Sequence, residues 1–338
     1  MLGASQRLKT LLRNFLPLMR YTQRGSEDNT VGHYVVVGED EFAKELATQL
    51  HTDFLPVTST IFPDAELKTR MRSPDLKKIG DRTALVVIRA KRYNPDPNDC
   101  VLKAILVADT LTAYGVTRKD LLLPYMFYAR QDGERLPGES NSLTKIASLL
   151  ESLDFTNLIT INSHLYGKAR SLQAFFPTLT VYDVGSAGTF ARYLAKKDLH
   201  APFIVGPGRG PERMAVELST HLHCEYECLP KTRDPETGRV DMEPPQSDLT
   251  DKDVIIYDDI ASSGGTTEMA YRLSEACGPR SIQIALAHLW TTRGINRLSY
   301  LGSQELITTN SFITEQASTP FTELSIISLA AEALKKIP

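Results

Sequence analysis

The stretch "DVIIYDDIASSGGTTEMA" at residues 253–270 carries, in order, the features of a strand, a loop and a helix. An apolar, β-branched run at 254–256 leads to two adjacent carboxylates, Asp258 and Asp259. Small residues follow before a helix-like pattern begins, and they are Ser262, Ser263, Gly264, Gly265, Thr266 and Thr267. A loop of this kind exposes several backbone N–H groups at the positive end of a helix dipole. The sequence therefore predicts an anion-binding loop beside a pair of acids.

The chemistry of the two acids restricts the class of ligand that can bind beside the loop. Carboxylates would repel a phosphate that touched them, but they suit neutral hydroxyls or a metal ion a few ångströms away. A sugar phosphate satisfies both demands, with its phosphate in the loop and its ribose hydroxyls on Asp258 and Asp259. A polar strand-to-helix turn with a capping serine is the alternative, and the residues alone leave both interpretations open.

Composition excludes several classes of protein. The chain has 338 residues, is 42% hydrophobic and 23% charged, and has a net charge of −3. This is ordinary globular composition, the length favours two domains, and the charge gives no support for nucleic-acid binding. Its four cysteines are too few for a disulfide framework in a chain of this length, which favours a reducing, cytoplasmic environment. No apolar run is long enough to span a bilayer.

The N-terminal segment, 1–30, forms a basic extension. Its first 24 residues contain five basic residues and no acid, and several leucines could share one helix face. A transit peptide, an interfacial helix and an extra helix packed on the core or a neighbour are all compatible with this pattern. The extension therefore leaves organelle targeting open as an alternative to the cytoplasm.

From Tyr34 onward, short apolar runs such as "YVVVG" (34–38) alternate with helix-period stretches such as "DCVLKAILVADTLTAYG" (99–115). This alternation predicts a mainly parallel sheet flanked by helices, with functional loops at the carboxyl ends of the strands. The alternation restarts near "PTLTVYD" (177–183), so we expect one domain over 31–178 and a second over 179–321.

The polar segment 230–246 contains four prolines and one glycine and has no apolar period. We expect it to be a long mobile loop.

Several motifs together resemble one family. "VIIYDDIASSGGTT" is similar to the phosphoribosyl diphosphate (PRPP) binding motif of type I phosphoribosyltransferases and PRPP synthetases. "PYMFYARQDGERLPGESNSLTKIASLLES" (124–152) resembles a segment of the synthetases alone, and so does "TIFPDAEL" (60–67), where Ala65 replaces the family's glycine. Over roughly residues 34–336, the chain is identified as a divergent member of the ribose-phosphate diphosphokinase (PRPP synthetase) family.

The resemblance implies an α/β fold of two tandem phosphoribosyltransferase-like (Rossmann-like) domains, the first holding ATP and the second ribose 5-phosphate. In that family the C-terminal tail, here 322–338, returns to the first domain. The family also builds its adenine pocket across a subunit interface. This implies a homo-oligomer, with a hetero-oligomer formed with a homologue as the alternative.

The resemblance also assigns the site residues. It implies catalytic roles for Lys231 and Arg233 in the flexible loop 230–246, and a metal ligand at His164 in "TINSHLYG" (160–167), with Mg²⁺ as the cofactor. The expected ATP-binding residues are Phe62, Asp64, Glu66, Arg130, Gln131 and Asp132. The expected ribose 5-phosphate-binding residues are Asp258, Asp259, Ser262, Ser263, Gly264, Gly265, Thr266 and Thr267.

Two positions depart from the family pattern. Asn162 stands where the family has an aspartate two residues before the histidine, and Gly208 in "GPGRGPER" (206–213) replaces a second metal-binding acid. Because Arg209 brings a permanent cation to that loop, we expect it to replace part of the second metal's charge at the diphosphate side of the site.

The leading functional hypothesis is transfer of the diphosphoryl group of ATP to the 1-hydroxyl of ribose 5-phosphate, which releases AMP and PRPP. The two lost acids also suit a catalytically weak homologue that regulates an active partner. A phosphoribosyltransferase is the third candidate. The ATP-site segments argue against it, because such an enzyme needs no ATP site.

Overall fold

The computed structural model describes residues 33–93, 95–234, 237, 239–316 and 319–338. Within this part of the chain, sixteen strands are present. They are β1 Tyr34–Gly38, β2 Asp53–Pro56, β3 Thr58–Ile61, β4 Leu67–Arg70, β5 Thr83–Val87, β6 Lys119–Leu123, β7 Asn157–Ile161, β8 Thr180–Val184, β9 Phe203–Gly206, β10 Glu225–Cys228, β11 Lys231–Arg233, β12 Val240–Met242, β13 Asp253–Ala261, β14 Ser281–Leu289, β15 Glu305–Thr309 and β16 Thr322–Leu324.

The helices in the same described ranges alternate with these strands. They are α1 Glu41–Gln49, α2 Ser73–Leu76, α3 Pro97–Ala113, α4 Ser142–Glu151, the 3₁₀ helix Leu172–Phe175, α5 Ala187–Leu194, α6 Glu212–Leu222, α7 Gly265–Glu275, α8 Thr292–Ser299 and α9 Ile327–Leu334. None of them is both long enough and apolar enough to cross a membrane.

Twelve of the strands form two parallel sheets of six strands each. The first has the order β2-β1-β5-β6-β7-β8 and the second has the order β10-β9-β13-β14-β15-β16. All pairings within both sheets are parallel. The predicted fold class, two tandem α/β domains with parallel sheets, is confirmed.

Helices cover both faces of the first sheet, which explains why its central strands are buried along their length rather than at alternate residues. Alternate residues of β1 therefore point into different cores. Val36 packs with Leu46 of α1 and Leu334 of α9, whereas Val35 packs with Leu111 of α3 on the opposite face. The C-terminal tail thus supplies a helix to the first sheet, although its strand β16 pairs with β15 in the second sheet.

The second sheet is built in the same way around β13. Ile256 packs on the side that includes Leu298 of α8, and Ile255 packs on the side that includes Phe190 of α5. Since both faces are filled, only the ends of the strands are free to present polar groups. The carboxyl end of β13, where Asp258 and Asp259 lie, is such an end.

A buried arginine joins the two halves. Arg92 is fully buried, and its guanidinium donates to the carbonyl of Thr309 (2.8 Å) and pairs with Glu323 (2.7 Å). Nε2 of His288 in β14 lies 2.8 Å from the carbonyl oxygen of Ile161 in β7. These contacts hold the carboxyl edges of the two sheets next to each other.

Two sequence-based expectations need correction. The boundary at 178/179 assigned β8 to the second half, but β8 pairs in parallel with β7 and completes the first sheet. The apparent restart of the strand-helix alternation near residue 177 is the connection in which the 3₁₀ helix leads into β8, an edge strand of the first sheet.

Segment 230–246 also contains regular structure, because β11 and β12 pair as an antiparallel ribbon in which Lys231 is opposite Met242. Met242 packs on the hydrophobic core of the second half. One apolar residue in a segment with four prolines is too weak a pattern to predict a strand from the sequence. The basic extension 1–30 lies outside the described residues.

Candidate active site

A cavity of about 250 Å³ lies where the carboxyl ends of β7 and β13 meet. It is lined by residues from both halves of the chain. The lining residues are Arg130, Arg135, Ser163, His164, Tyr166, Lys168, Gly210, Pro211, Met214, Lys231, Asp258, Asp259, Ile260 and Thr266. Functional loops were expected at this edge of the sheets, and the cavity joins several of the predicted residues there.

The acid pair forms one wall. Asp258 is only 5% exposed, and its Oδ1 accepts a hydrogen bond from the backbone N–H of Asp259 at 2.9 Å. Oδ2 of Asp259 lies 2.6 Å from Nδ1 of His164, which follows β7 in the other half. The acid pair is therefore held in place by both sheets.

The two carboxyl groups ionise differently. Burial and the neighbouring charge of Asp259 raise the pKa of Asp258 well above its ordinary value, and Lys231 opposes this shift. Burial would also raise the pKa of Asp259, but the hydrogen bond and charge of His164 outweigh it and lower that pKa. Asp259 therefore stays ionised beside His164, whereas Asp258 loses its proton less readily. The oxygens of the two carboxyl groups can accept hydrogen bonds from two adjacent hydroxyls.

The small-residue loop completes the same edge. Gly264 caps α7, and among the described residues no side-chain cap hydrogen bond is made at the start of this helix. Those N–H groups and the helix dipole favour an anion. The side chains of the loop are not equivalent, because Thr266 lines the cavity, Ser263 is exposed and Thr267 is buried.

Four cations line the same cavity as the acids, namely Arg130, Arg135, Lys168 and Lys231. Nζ of Lys231 donates to the carbonyl of Pro207 at 2.9 Å. The Arg135 guanidinium donates to the carbonyl of Arg130 and lies 3.9 Å from Asp132. So many positive charges in one cleft suit a ligand with several negative charges.

A second cavity of about 490 Å³ shares Arg130 and Arg135 with the first. Tyr125, Tyr128 and Trp290 give it aromatic walls, and Gln131 also lines it. Tyr128 has a φ of +61°, an uncommon backbone conformation for a large residue. An aromatic cavity next to a cationic cleft offers room for a flat ring beside a chain of phosphates.

Comparisons with known proteins agree with this geometry. Residues 35–153 match the model of the N-terminal domain of ribose phosphate pyrophosphokinase, and residues 185–305 match the phosphoribosyl transferase domain. A ribose-phosphate pyrophosphokinase of Saccharolobus solfataricus is 32% identical over 282 residues, which cover 83% of this chain and 91% of the relative. The chain belongs to the ribose-phosphate pyrophosphokinase family.

Further comparisons extend the match. A ribose-phosphate pyrophosphokinase of Methanopyrus kandleri is 28% identical over 302 residues, which cover 88% of this chain and 96% of the relative. The crystal structure of a phosphoribosylpyrophosphate synthetase from Mycobacterium smegmatis superposes with a TM-score of 0.74 at 24% identity. It covers 90% of this chain and 98% of that one, and it supports the fold.

The structure does not bring every predicted residue to the cleft. Phe62, Asp64 and Glu66 lie at the turn between β3 and β4, and none of them lines either cavity. Ala65 adopts a φ of +70° at this turn, which accounts for the glycine in the family pattern. Phe62 is 42% exposed, so within one protomer this turn presents its residues outward.

Among the remaining ATP-segment residues, Arg130 lines both cavities, whereas Gln131 lines only the aromatic one. Oε1 of Gln131 accepts a hydrogen bond from Ser142 at the start of α4 (2.6 Å). Asp132 lines neither cavity and lies beside Arg135. The side chain of Arg233 lies outside the described part of the chain.

The two departures from the family pattern have clear local structures. Asn162 is buried, and its Oδ1 accepts a hydrogen bond from the backbone N–H of Ser186 at 2.7 Å, so its side chain braces the segment before α5. Gly208 has a φ of +112°, and the side chain of Lys231 packs over it. Arg209 is exposed and does not line the cavity, so the structure does not place it at the diphosphate side.

A metal ion would have few ligands from the protein. Within the described ranges, no group of three or more His, Cys, Asp or Glu side chains is arranged to hold one. Mg²⁺ commonly takes one or two carboxylates and completes its shell with water and substrate phosphates. The residues present fit that arrangement, and Asp259 and His164 are the groups that would hold the ion.

Sequence reasoning missed Arg135, Lys168, Tyr166 and Trp290. Arg135 follows the Arg-Gln-Asp motif in the "GERL" turn, and Tyr166 and Lys168 follow His164 by two and four residues. These three residues could have been predicted because they lie close in the sequence to residues that were assigned to the site. Trp290 had no such signal, because the aromatic cavity exists only once β14 lies beside the segment after β6.

Proposed function

We propose that this chain synthesises PRPP from ATP and ribose 5-phosphate. The observation that carries the proposal is the single cleft that joins an anion-binding loop, an acid pair and four cations next to an aromatic cavity. Each part suits one portion of the two substrates. The loop suits the 5-phosphate, the acids suit the ribose hydroxyls, the cations suit the ATP phosphates and the aromatic cavity suits the adenine.

In the proposed reaction, the 1-hydroxyl oxygen of ribose 5-phosphate attacks the β-phosphorus of ATP. The bond between that phosphorus and the oxygen bridging to the α-phosphate breaks, so AMP leaves with the bridging oxygen and the hydroxyl proton is released. Catalysis of such a step depends on positioning and on cancellation of negative charge.

The described side chains supply both requirements in this proposal. Asp258 and Asp259 orient the ribose, and the N–H groups of the loop 262–267 hold its phosphate. Lys231 approaches the transferred group from the β11–β12 ribbon, and Arg233 keeps the catalytic role that the family resemblance implies. Mg²⁺, when bound with the nucleotide, would neutralise part of the phosphate charge beside Asp259 and His164.

We also propose that the complete nucleotide site forms in an oligomer. Phe62, Asp64 and Glu66 project from an exposed turn that also presents Ile61, which is 61% exposed. In the proposed assembly, this turn completes the adenine site of a neighbouring subunit. The proposed domains comprise residues 31–184 with 326–338, and residues 185–325.

The test incubates the purified chain with ATP, Mg²⁺ and ribose 5-phosphate and measures AMP and PRPP, with ribose 5-phosphate omitted as the control. Formation of both products supports the proposal. The second candidate function is that of a catalytically weak homologue that regulates an active partner, because Asn162 and Gly208 each replace an acid of the family pattern. Activity that appears only after an active homologue is added would favour that candidate, and consumption of PRPP with a nucleobase would favour a phosphoribosyltransferase.

A further inference from the structure

Lys168 is a cation without a partner inside the cleft. It is partly buried and lines the 250 Å³ cavity, yet within the described residues its Nζ makes no hydrogen bond and no ion pair. Burial lowers the pKa of Lys168, Asp259 and Asp132 oppose that shift, and the like charges of Arg135 and Lys231 add to it. A partly desolvated ammonium that makes no hydrogen bond and no ion pair is free to bind an anionic group of a ligand.

The backbone around Lys168 is anchored on both sides of the cleft. Leu165 is buried in the first core and Tyr166 in the second, where the Tyr166 hydroxyl donates to Glu217 at 2.8 Å. Gly167 has a φ of +74°, and a Cβ there would lie 2.4 Å from Cδ of Arg213, so the loop approaches α6 closely. The backbone N–H of Lys168 then donates to the carbonyl of Leu165 at 3.1 Å. The lysine is thus presented to the cavity by a fixed turn.

The residues that share the cavity with Lys168 locate its ligand. Asp259 belongs to the wall proposed for ribose, Arg130 belongs to the segment proposed for ATP, and both line the same cavity as Lys168. A group near Nζ therefore lies between the two proposed substrates. The portion of the ligands found there is the diphosphoryl group, which is attached to AMP before the reaction and to ribose after it.

We propose that Lys168 binds the diphosphoryl group directly, as a phosphate-binding residue in the centre of the cleft. This inference rests on the proposed function for the identity of the group, but the binding of a diphosphate can be measured without any turnover. The alternative is a lysine whose ammonium group stays in solvent and whose stem merely covers the loop.

The experiment compares the full-length wild type with Lys168→Met, which keeps length and removes charge, and with Lys168→Arg, which keeps the charge. Lys145→Met, on the exposed face of α4, is the matched control. Each protein is titrated with inorganic pyrophosphate by calorimetry, and its thermal unfolding is recorded as a check on folding. Lys168→Gln replaces the methionine variant if that variant does not fold.

Lys168→Met is expected to bind pyrophosphate about tenfold more weakly, whereas Lys168→Arg retains most of the affinity and Lys145→Met is unchanged. Equal pyrophosphate affinity in the wild type and the folded methionine variant would overturn the proposal, and so would a wild type that does not bind pyrophosphate.

Turnover assays separate this proposal from the proposed function. If the wild type makes PRPP and Lys168→Met has the same pyrophosphate affinity and turnover, the proposed function stands and the role of Lys168 is refuted. A wild type that makes no PRPP but binds pyrophosphate through Lys168 refutes the function and supports the site.

Discussion

Replacing Gly208 by alanine tests how the loop after β9 positions Lys231. A Cβ at residue 208 would lie 2.7 Å from Cε of Lys231, which is closer than these atoms can approach, and 3.1 Å from its Nζ, which is a tight contact. The lysine side chain is flexible and would move away from the carbonyl of Pro207, to which it now donates. The substitution therefore displaces the proposed catalytic ammonium without removing it.

The size of the effect has two parts. At a φ of +112°, a residue with a side chain costs about 1–3 kcal/mol, so the free energy of unfolding should fall by about that amount. Loss of a charge that stabilises a transition state commonly lowers kcat by about 10²–10³. A displaced but still present lysine should lower kcat by at least about tenfold, while KM for ATP changes less.

The assay combines urea unfolding with steady-state kinetics of PRPP formation. Gly278→Ala is the matched control outside both cavities, because Gly278 also has a positive φ (+67°) but a Cβ there meets nothing within 4 Å. It should lose stability and keep the kcat of the wild type. The reasoning would be refuted if Gly208→Ala kept both the stability and the kcat of the wild type. A loss of stability without a loss of kcat would show that the observed position of Lys231 is not the one used in catalysis.

Three further predictions follow from the site. Asp259→Asn removes the ionised acceptor beside His164 and should raise KM for ribose 5-phosphate by about tenfold or more in steady-state assays, and an unchanged KM would exclude Asp259 from ribose binding. Lys231→Met should lower kcat far more than it weakens ATP binding measured by calorimetry, and normal kcat with poor binding would contradict a transition-state role. Burial raises the pKa of Asp183 to about 6 despite hydrogen bonds from Ser163, so burial of the charged form should cost stability as the pH rises from about 4 to about 6. That loss should reach about 3 kcal/mol in urea unfolding, Asp183→Asn should abolish it, and an identical pH profile in the variant would show that Asp183 is not the group responsible.

The sequence allowed most of the fold to be predicted because its strands are buried on both faces. Tyr34–Gly38 and the first six residues of Asp253–Ala261 are buried without interruption, and the runs 35–37 and 254–256 are apolar, which is the pattern of strands in a parallel sheet. Thr180–Val184 was placed in the wrong half because an edge strand shows no continuous apolar run and its partner is decided by tertiary pairing. The ribbon Lys231–Arg233 with Val240–Met242 was missed because strands of three residues give almost no periodicity.

The residues of the candidate site also form two groups, those that one stretch of sequence predicts and those that only the fold brings together. Asp258, Asp259 and the loop after them were predictable, since one continuous stretch of chain fixes their relation to each other. Lys168 and Trp290 reach the site only because distant segments meet, and no local pattern encodes that meeting. Arg209 is exposed and lies outside the lining of the cavity, which the sequence alone does not specify. The turn at Phe62 lines neither cavity of its own chain, so its proposed role in the adenine site depends on the proposed oligomer.

The most direct test of the central claim is a ³¹P NMR time course of the purified full-length chain with ATP, Mg²⁺ and ribose 5-phosphate. Transfer of the diphosphoryl group as one unit predicts that AMP and a ribose 1-diphosphate signal rise together in equal amounts, with no ADP. Appearance of ADP with a singly phosphorylated 1-position would contradict diphosphoryl transfer. An unchanged spectrum from folded protein would contradict the claim that this chain is itself the enzyme.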